Sequence, residues 1–255
     1  MRDQIMMNHQ ISWELMAIAV FALLLINNRK ACRASPGLMI TAITTMVIGL
    51  MPQLDIVARH SVWLHCLQSA LIHHVAPMLL LMAELKLPSK LNKPFAQILA
   101  SPLASSLIML SFLAMSVMWV WPELHIQLMH DGSLYRAMKW AMAISGVLLC
   151  YAAAILYQQG FISSLRFWVF HLAITVPQVL VGILLMMAAP LYPMPQCLSK
   201  TNGLVGVLIK LGQSLGPRAD QALGGALLLI SATLFFVLSN RFCDFLRVSA
   251  NPVHR

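Results

Sequence analysis

Polar and apolar positions are sorted along this chain into long blocks. Seven predominantly apolar runs cover 11–28, 38–57, 62–85, 102–121, 135–158, 167–189 and 221–242. A helix needs about 20 such residues to cross a bilayer. The pattern therefore predicts an all-α integral membrane protein, a bundle of about seven transmembrane helices forming one polytopic domain over 1–255. Pro52 lies near the end of the second run and Pro177 inside the sixth, where it predicts a kink. The first run is followed by Asn27, Asn28, Arg29 and Lys30 rather than by a small-residue cleavage pattern, so it reads as a retained span.

Most connections are short. The exception is 190–220, a long outer loop with Pro190, Pro193 and Pro195 followed by several glycines. Its apolar middle, Leu204 to Leu215, predicts a short helix lying at the membrane interface. The stretch 122–135 reads as a loop, with His125 and His130 flanking a turn in solvent. No internal repeat or low-complexity tract occurs.

Composition supports the membrane reading. The chain is 60% hydrophobic and only 10% charged, against about 25% charged in soluble domains. The formal charge of +9 does not form a basic stripe, which argues against nucleic acid; the cations sit in short clusters between apolar runs. With the N-terminus outside, the inner segments hold Arg29, Lys30, Arg33, Lys86, Lys90, Lys93, Arg166, Arg241, Arg247 and Arg255. The outer ones hold Arg2, Arg59, Arg136, Lys139, Lys200, Lys210 and Arg218. Ten against seven favours N-out and C-in. This orientation gathers His9, His60, His65, His125, His130, Met138, Met142, Cys197, Asp220 and Gln221 towards the outer face. The five cysteines contain no CxxC pair, so a zinc ribbon or thioredoxin-like site has no support.

Ionisable side chains inside a span are costly and mark candidate function. The third run carries His65, His73 and His74. On a helix His65, Gln68, Ser69 and Ile72 share a face, while His73 lies roughly 12 Å further along the axis. His65 and His73 therefore cannot share one metal, and ligands must come from neighbouring helices. Met138 and Met142 form an i, i+4 pair on the fifth run, Met78 and Met82 a similar pair on the third, and Met6, Met7 and His9 a group near the start. Thioethers and imidazoles suit Cu(I), which is soft and accepts low coordination. Each of these residues also has a plain structural reading, as a hydrogen-bonded membrane histidine or a filler methionine. Asp220, just ahead of the seventh run, is expected to cap its own helix. The sequence shows no catalytic motif and no paired carboxylates within the spans, so an enzyme is not expected.

Four segments of the chain are similar to the CtaG-like cytochrome c oxidase assembly factors, polytopic membrane proteins of bacteria. They are His65 through Val75-Ala76-Pro77, on which Gln68 and Pro77 match; Lys139 to Cys150, with Ser145-Gly146; Pro177-Gln178 through Pro190-Leu191-Tyr192-Pro193; and Asp220-Gln221-Ala222-Leu223-Gly224-Gly225. The chain departs from that pattern at Ser69, where a second His is common, at Met138 and Lys139, where the fifth span often carries His, and at Cys150, in place of a Trp.

The resemblance implies help in maturing a haem-copper oxidase, with copper handled at the outer face of the bacterial cytoplasmic membrane. The expected cargo is Cu(I), and its expected ligands come from His65, His73, His74, Met138, Met142, His125 and His130. The expected partners are oxidase subunits or another copper chaperone. Three alternatives remain open: a copper or small-solute transporter lined by His73 and His74, a b-type haem protein using His73 or His74 with His171, and a metal-free scaffold.

Overall fold

The computed structural model describes residues 14–20, 22–23, 36–83, 94, 97–99, 101–158, 164–192 and 203–250. For 154–158, 164–170, 173, 203–205, 212–213 and 238–250 it describes the backbone alone. Among the described residues the regular structure is entirely helical. After a helical stretch at 14–20 come α1 (Pro36–Leu50), α2 (Pro52–Ala58), α3 (Val62–Ala70), a π-helical turn at Leu71–Val75, and α4 (Ala76–Met82). Then follow α5 (Pro102–Met118), α6 (Pro122–His130), α7 (Gly132–Gln158), α8 (Ser164–Met187), α9 (Gly203–Ser214) and α10 (Gly216–Ala250). Met6, Met7, His9, Cys32 and Cys197 lie outside the described residues.

Two stretches, Val62–Met82 and Gly216–Val237, are long and apolar enough to cross a membrane. The count rises to four if each of two bent pairs is one span. The exterior fits a lipid surround: Leu103, Leu107, Leu110, Leu180 and Ile230 are all more than half exposed, a surface water would not tolerate.

Proline sets the breaks. The residue before proline is pushed out of the α region, and Met51 (ψ 129°) and Trp121 (ψ 119°) are both extended. The chain accordingly bends by 57° between α1 and α2 and by 80° between α5 and α6. The stretch 122–135 is therefore not a loop. It forms helix α6 and the start of α7, joined at Asp131. Pro122 occupies the first turn of α6, where its missing N–H is no loss. The long connection 190–220 contains the expected short helix as α9, but the last helix starts at Gly216 rather than at Gln221.

The third span sits at the centre, with 72% of its apolar window buried. It is not one regular α-helix. Pro77 has no N–H to offer the carbonyl of His73, and the backbone widens into the π turn at Leu71–Val75 just before it. A Cβ on Gly146 of α7 would come 2.5 Å from the His73 carbonyl oxygen, and one on Gly224 of α10 would come 2.8 Å from Cys66 Sγ. The absence of a side chain at these two positions lets α7 and α10 close on the central helix.

Candidate metal site at one end of the bundle

A buried polar network runs from the break between α1 and α2 to His65. Breaking a helix orphans its last carbonyls. The Gly49 carbonyl accepts from Gln68 Nε2 (2.8 Å) and the Leu50 carbonyl from Lys139 Nζ (2.9 Å). Lys139, which is 3% exposed, also donates to Asp55 Oδ2 (2.7 Å) and pairs with Glu14 Oε1. Its three donors are therefore all used. Gln68 spends its second N–H on Asp55 Oδ1 (2.6 Å), and its Oε1 accepts from the Tyr135 hydroxyl (2.6 Å).

This network fixes the tautomer of His65. Tyr135 has already given its only proton to Gln68, so at 2.9 Å from His65 Nδ1 its oxygen must be the acceptor. Nδ1 therefore carries the proton and Nε2 carries the lone pair. His65 Nε2 is buried and has no hydrogen-bond partner. Sequence periodicity put His65, Gln68, Ser69 and Ile72 on one face, and those four line a single small pocket. Tyr135, Met138, Lys139 and Met142 complete its wall. Ser69 Oγ lies 3.9 Å from Met142 Sδ. The pocket wall thus includes the His65 residue and two methionines, beside one ammonium flanked by two carboxylates.

Of the other expected ligands, His125 is buried on α6, its ring 5.7 Å from that of His65 and 4.0 Å from that of Tyr192. Its Nδ1 donates to the Trp119 carbonyl (3.2 Å), leaving Nε2 as the acceptor. His125 and His130, expected as two solvated loop residues, both lie on α6; only His130 is exposed, bonded to the Ile126 carbonyl of its own helix. His73 and His74 stand apart from the His65 pocket, packed on Phe112 and, for His74, Phe235. His171 meets the same Phe235. Among the described residues no three His, Cys, Asp or Glu side chains converge to hold a metal.

Asp220 and Gln221 turn out to be structural. Asp220 does not cap its own helix; it lies in the second turn of α10. Its carboxylate accepts from Ser61 Oγ (2.6 Å), Val62 N (2.7 Å) and Trp63 N (3.3 Å), so it caps the start of α3. Gln221 works on a third helix, donating to the Leu185, Ala188 and Ala189 carbonyls at the end of α8 and accepting from Leu191 N. Two consecutive residues thereby tie the positive end of one helix and the negative end of another to α10. On the far side of the site, Arg59 donates to the Met129 and His130 carbonyls (2.8 and 2.7 Å) and so closes the end of α6.

Sequence reading missed Glu14, Asp55, Lys139 and Tyr135 as parts of the site. It expected no paired carboxylates in the spans, whereas Glu14 and Asp55 flank Lys139. The signal was present: all three ionisable residues fall inside apolar runs, and their opposite charges required partners. Tyr135 gave no such signal, because a tyrosine at the end of a span is ordinary membrane-interface chemistry.

No curated protein and no solved structure matches the chain. The family model described as cytochrome c oxidase caa3 assembly factor (Caa3_CtaG) matches residues 36–240, which hold the polar network from Asp55 to Lys139, the methionine pocket and both helix caps of α10. On that match the chain belongs to the cytochrome c oxidase caa3 assembly factor family.

Proposed function

We propose that this assembly factor is a non-enzymatic, multi-pass protein of the bacterial cytoplasmic membrane. It takes Cu(I) at the outer face and passes it to an oxidase subunit or to another copper chaperone. The observation that carries this reading is the buried, unpartnered Nε2 of His65, whose residue lines one pocket with Met138 and Met142. Imidazole and thioether donors suit Cu(I), and the absence of a convergent set of three His, Cys or acidic ligands among the described residues suits it better than Zn(II).

Delivery requires that the ion leave again. A two- or three-coordinate ion has coordination positions free for an incoming ligand and can be handed on by ligand exchange, with no change in oxidation state. The protein's part is to hold the lone pair in place, which it does through Tyr135, Gln68 and Asp55. Taken at formal charges, Lys139, Asp55 and Glu14 sum to one negative charge, which favours a cation nearby. The basic clusters favour N-out and C-in, which puts this end of the bundle outside.

Two measurements test the proposal. The reduced, purified protein should bind Cu(I) in competition with a chromogenic chelator, and His65→Ala should weaken that binding. A strain lacking the protein should lose oxidase activity and regain it when copper is added. Undiminished binding by His65→Ala sinks the assignment of the site, and loss of activity without copper rescue points to a scaffold instead.

A further inference from the structure

The side-chain donors of the network behind the His65 pocket are all spent. Lys139 gives its three protons to the Leu50 carbonyl, Asp55 and Glu14, and Gln68 gives its two to the Gly49 carbonyl and Asp55. Tyr135 donates to Gln68, His65 Nδ1–H to Tyr135, and Trp140 Nε1–H to Glu14 Oε1 (3.2 Å). Two buried acceptors are left over, Glu14 Oε2 and His65 Nε2. The charges show the same deficit. Glu14, Asp55 and Lys139 are all buried, and they carry two negative charges against one positive. A buried ion group left unbalanced by one charge is costly until a counter-charge joins it. Arg59, one turn beyond Asp55 on α2, is only half-buried and turns its guanidinium to the end of α6, where water weakens its field.

Lys139 lines the pocket together with His65, Met138 and Met142. An ammonium has no lone pair, so Lys139 cannot ligate an ion there and acts on one through its charge alone. The field of the triad acts on an ion in proportion to the ion's own charge. With Lys139 in place the triad carries one negative charge, so a monovalent cation brings the sum to zero and a divalent one leaves a positive charge buried. Without Lys139 the two carboxylates would match a divalent ion instead. A unit charge about 10 Å away, at an effective dielectric of about 20, changes the affinity of a monovalent ion roughly tenfold and that of a divalent ion roughly a hundredfold.

We propose that Lys139 is a specificity-determining residue of the His65 pocket: by holding the buried triad at one negative charge it selects a monovalent cation over a divalent one. This rests on the reading of the pocket as the Cu(I) site. The donors and the triad divide the task. Thioether sulfur favours a soft ion, but imidazole serves Zn(II) as well as copper, so the donor set alone separates the two ions incompletely. Valence supplies the rest. The Leu50 carbonyl, orphaned at the break between α1 and α2, fixes Lys139 Nζ between the two carboxylates and keeps its charge beside the pocket.

The test measures Cu(I) affinity under reducing conditions and Zn(II) affinity, each against a chelating indicator, on the full chain in detergent. Glu14→Gln takes the triad to zero charge while keeping an acceptor oxygen for Lys139 and Trp140. It should weaken Cu(I) binding roughly tenfold and Zn(II) binding by a larger factor. Glu14→Gln/Lys139→Met restores one negative charge, on Asp55, and should bring Cu(I) affinity back close to that of wild type. A lysine that serves only as a strut predicts the opposite, a double variant weaker than the single one, and that result overturns the proposal. Should the double variant not fold, Glu14→Gln decides alone: an unchanged Cu(I) affinity, or equal losses for the two ions, overturns it. Wild type that binds no Cu(I) sinks the copper reading and this inference with it. Wild type that binds Cu(I) at His65, in variants whose affinities do not follow the charge of the triad, sinks this inference alone.

Discussion

Tyr135 Oη stands 2.9 Å from His65 Nδ1 and gives its own proton to Gln68 Oε1 at 2.6 Å, so the phenol acts on the imidazole as an acceptor. Partners of this kind behind a metal-binding histidine are worth about 10–100-fold in metal affinity. Tyr135→Phe removes the acceptor and keeps the ring. It should lower Cu(I) affinity by about that factor, and also lower the melting temperature, because it strands the buried Gln68 Oε1 and the His65 Nδ1–H. In a His65→Ala background the same substitution should have no further effect on affinity. An equal loss in both backgrounds would show that Tyr135 acts on the fold rather than on His65.

Lys139 is the hub of the network, with Leu50, Asp55 and Glu14 all taking its protons. Lys139→Met leaves two buried carboxylates facing each other. Removing one partner of a buried ion pair costs about 3–5 kcal/mol, and thermal unfolding in detergent should show a loss of that order. Neutralising the acids as well, in Lys139→Met/Asp55→Asn/Glu14→Gln, should recover most of it. If the triple variant is no more stable than the single one, the penalty lies in lost packing and not in stranded charge.

The helices and much of the His65 pocket were legible in the sequence, because both follow from periodicity. His65, Gln68, Ser69 and Ile72 lie on one helical face, and Met138 and Met142 lie one turn apart, so a helix had only to face a helix. The breaks were harder to read. Pro52 and Pro122 each carry the local signal for a bend, yet the direction of the chain after it depends on what satisfies the freed carbonyls. Those partners, Gln68, Lys139 and Arg59, come from elsewhere in the chain. Asp220 shows the same limit. It looks like a cap of its own helix by position, and only packing reveals that it caps another.

Asp131, between α6 and α7, supplies a pH dependence outside the expected spans. Its carboxylate accepts from Leu134 N (3.1 Å) and Ser133 N (2.7 Å), which pull its pKa below the usual carboxylate value. A depressed pKa means that the folded state favours the ionised form. The stabilisation is present above the unfolded pKa and is lost as pH falls through the lower folded value. Asp131→Asn should therefore flatten the acid limb of the stability curve below about pH 4 and leave its alkaline side unchanged. An identical acid limb in the variant would assign that limb to other carboxylates.

The Asp220 cap joins stability to the site. Ser61 has the position of an N-cap on α3 but makes no cap hydrogen bond to its own helix; Asp220 supplies the acceptor from α10. The backbone N–H of His65 closes the first turn of α3 on the Ser61 carbonyl (3.1 Å), so the cap lies one turn from the proposed ligand. Asp220→Ala strands the Val62 and Trp63 N–H groups, at about 1–3 kcal/mol for a buried unsatisfied donor. Asp220→Asn keeps an acceptor oxygen and loses only the charge, so it should cost less. Because a shift of α3 moves His65 against Met138 and Met142, the alanine variant should lose Cu(I) affinity as well as thermal stability, with asparagine intermediate on both. An alanine variant that melts earlier yet binds Cu(I) as tightly as wild type would separate the cap from the site and restrict Asp220 to holding the bundle together.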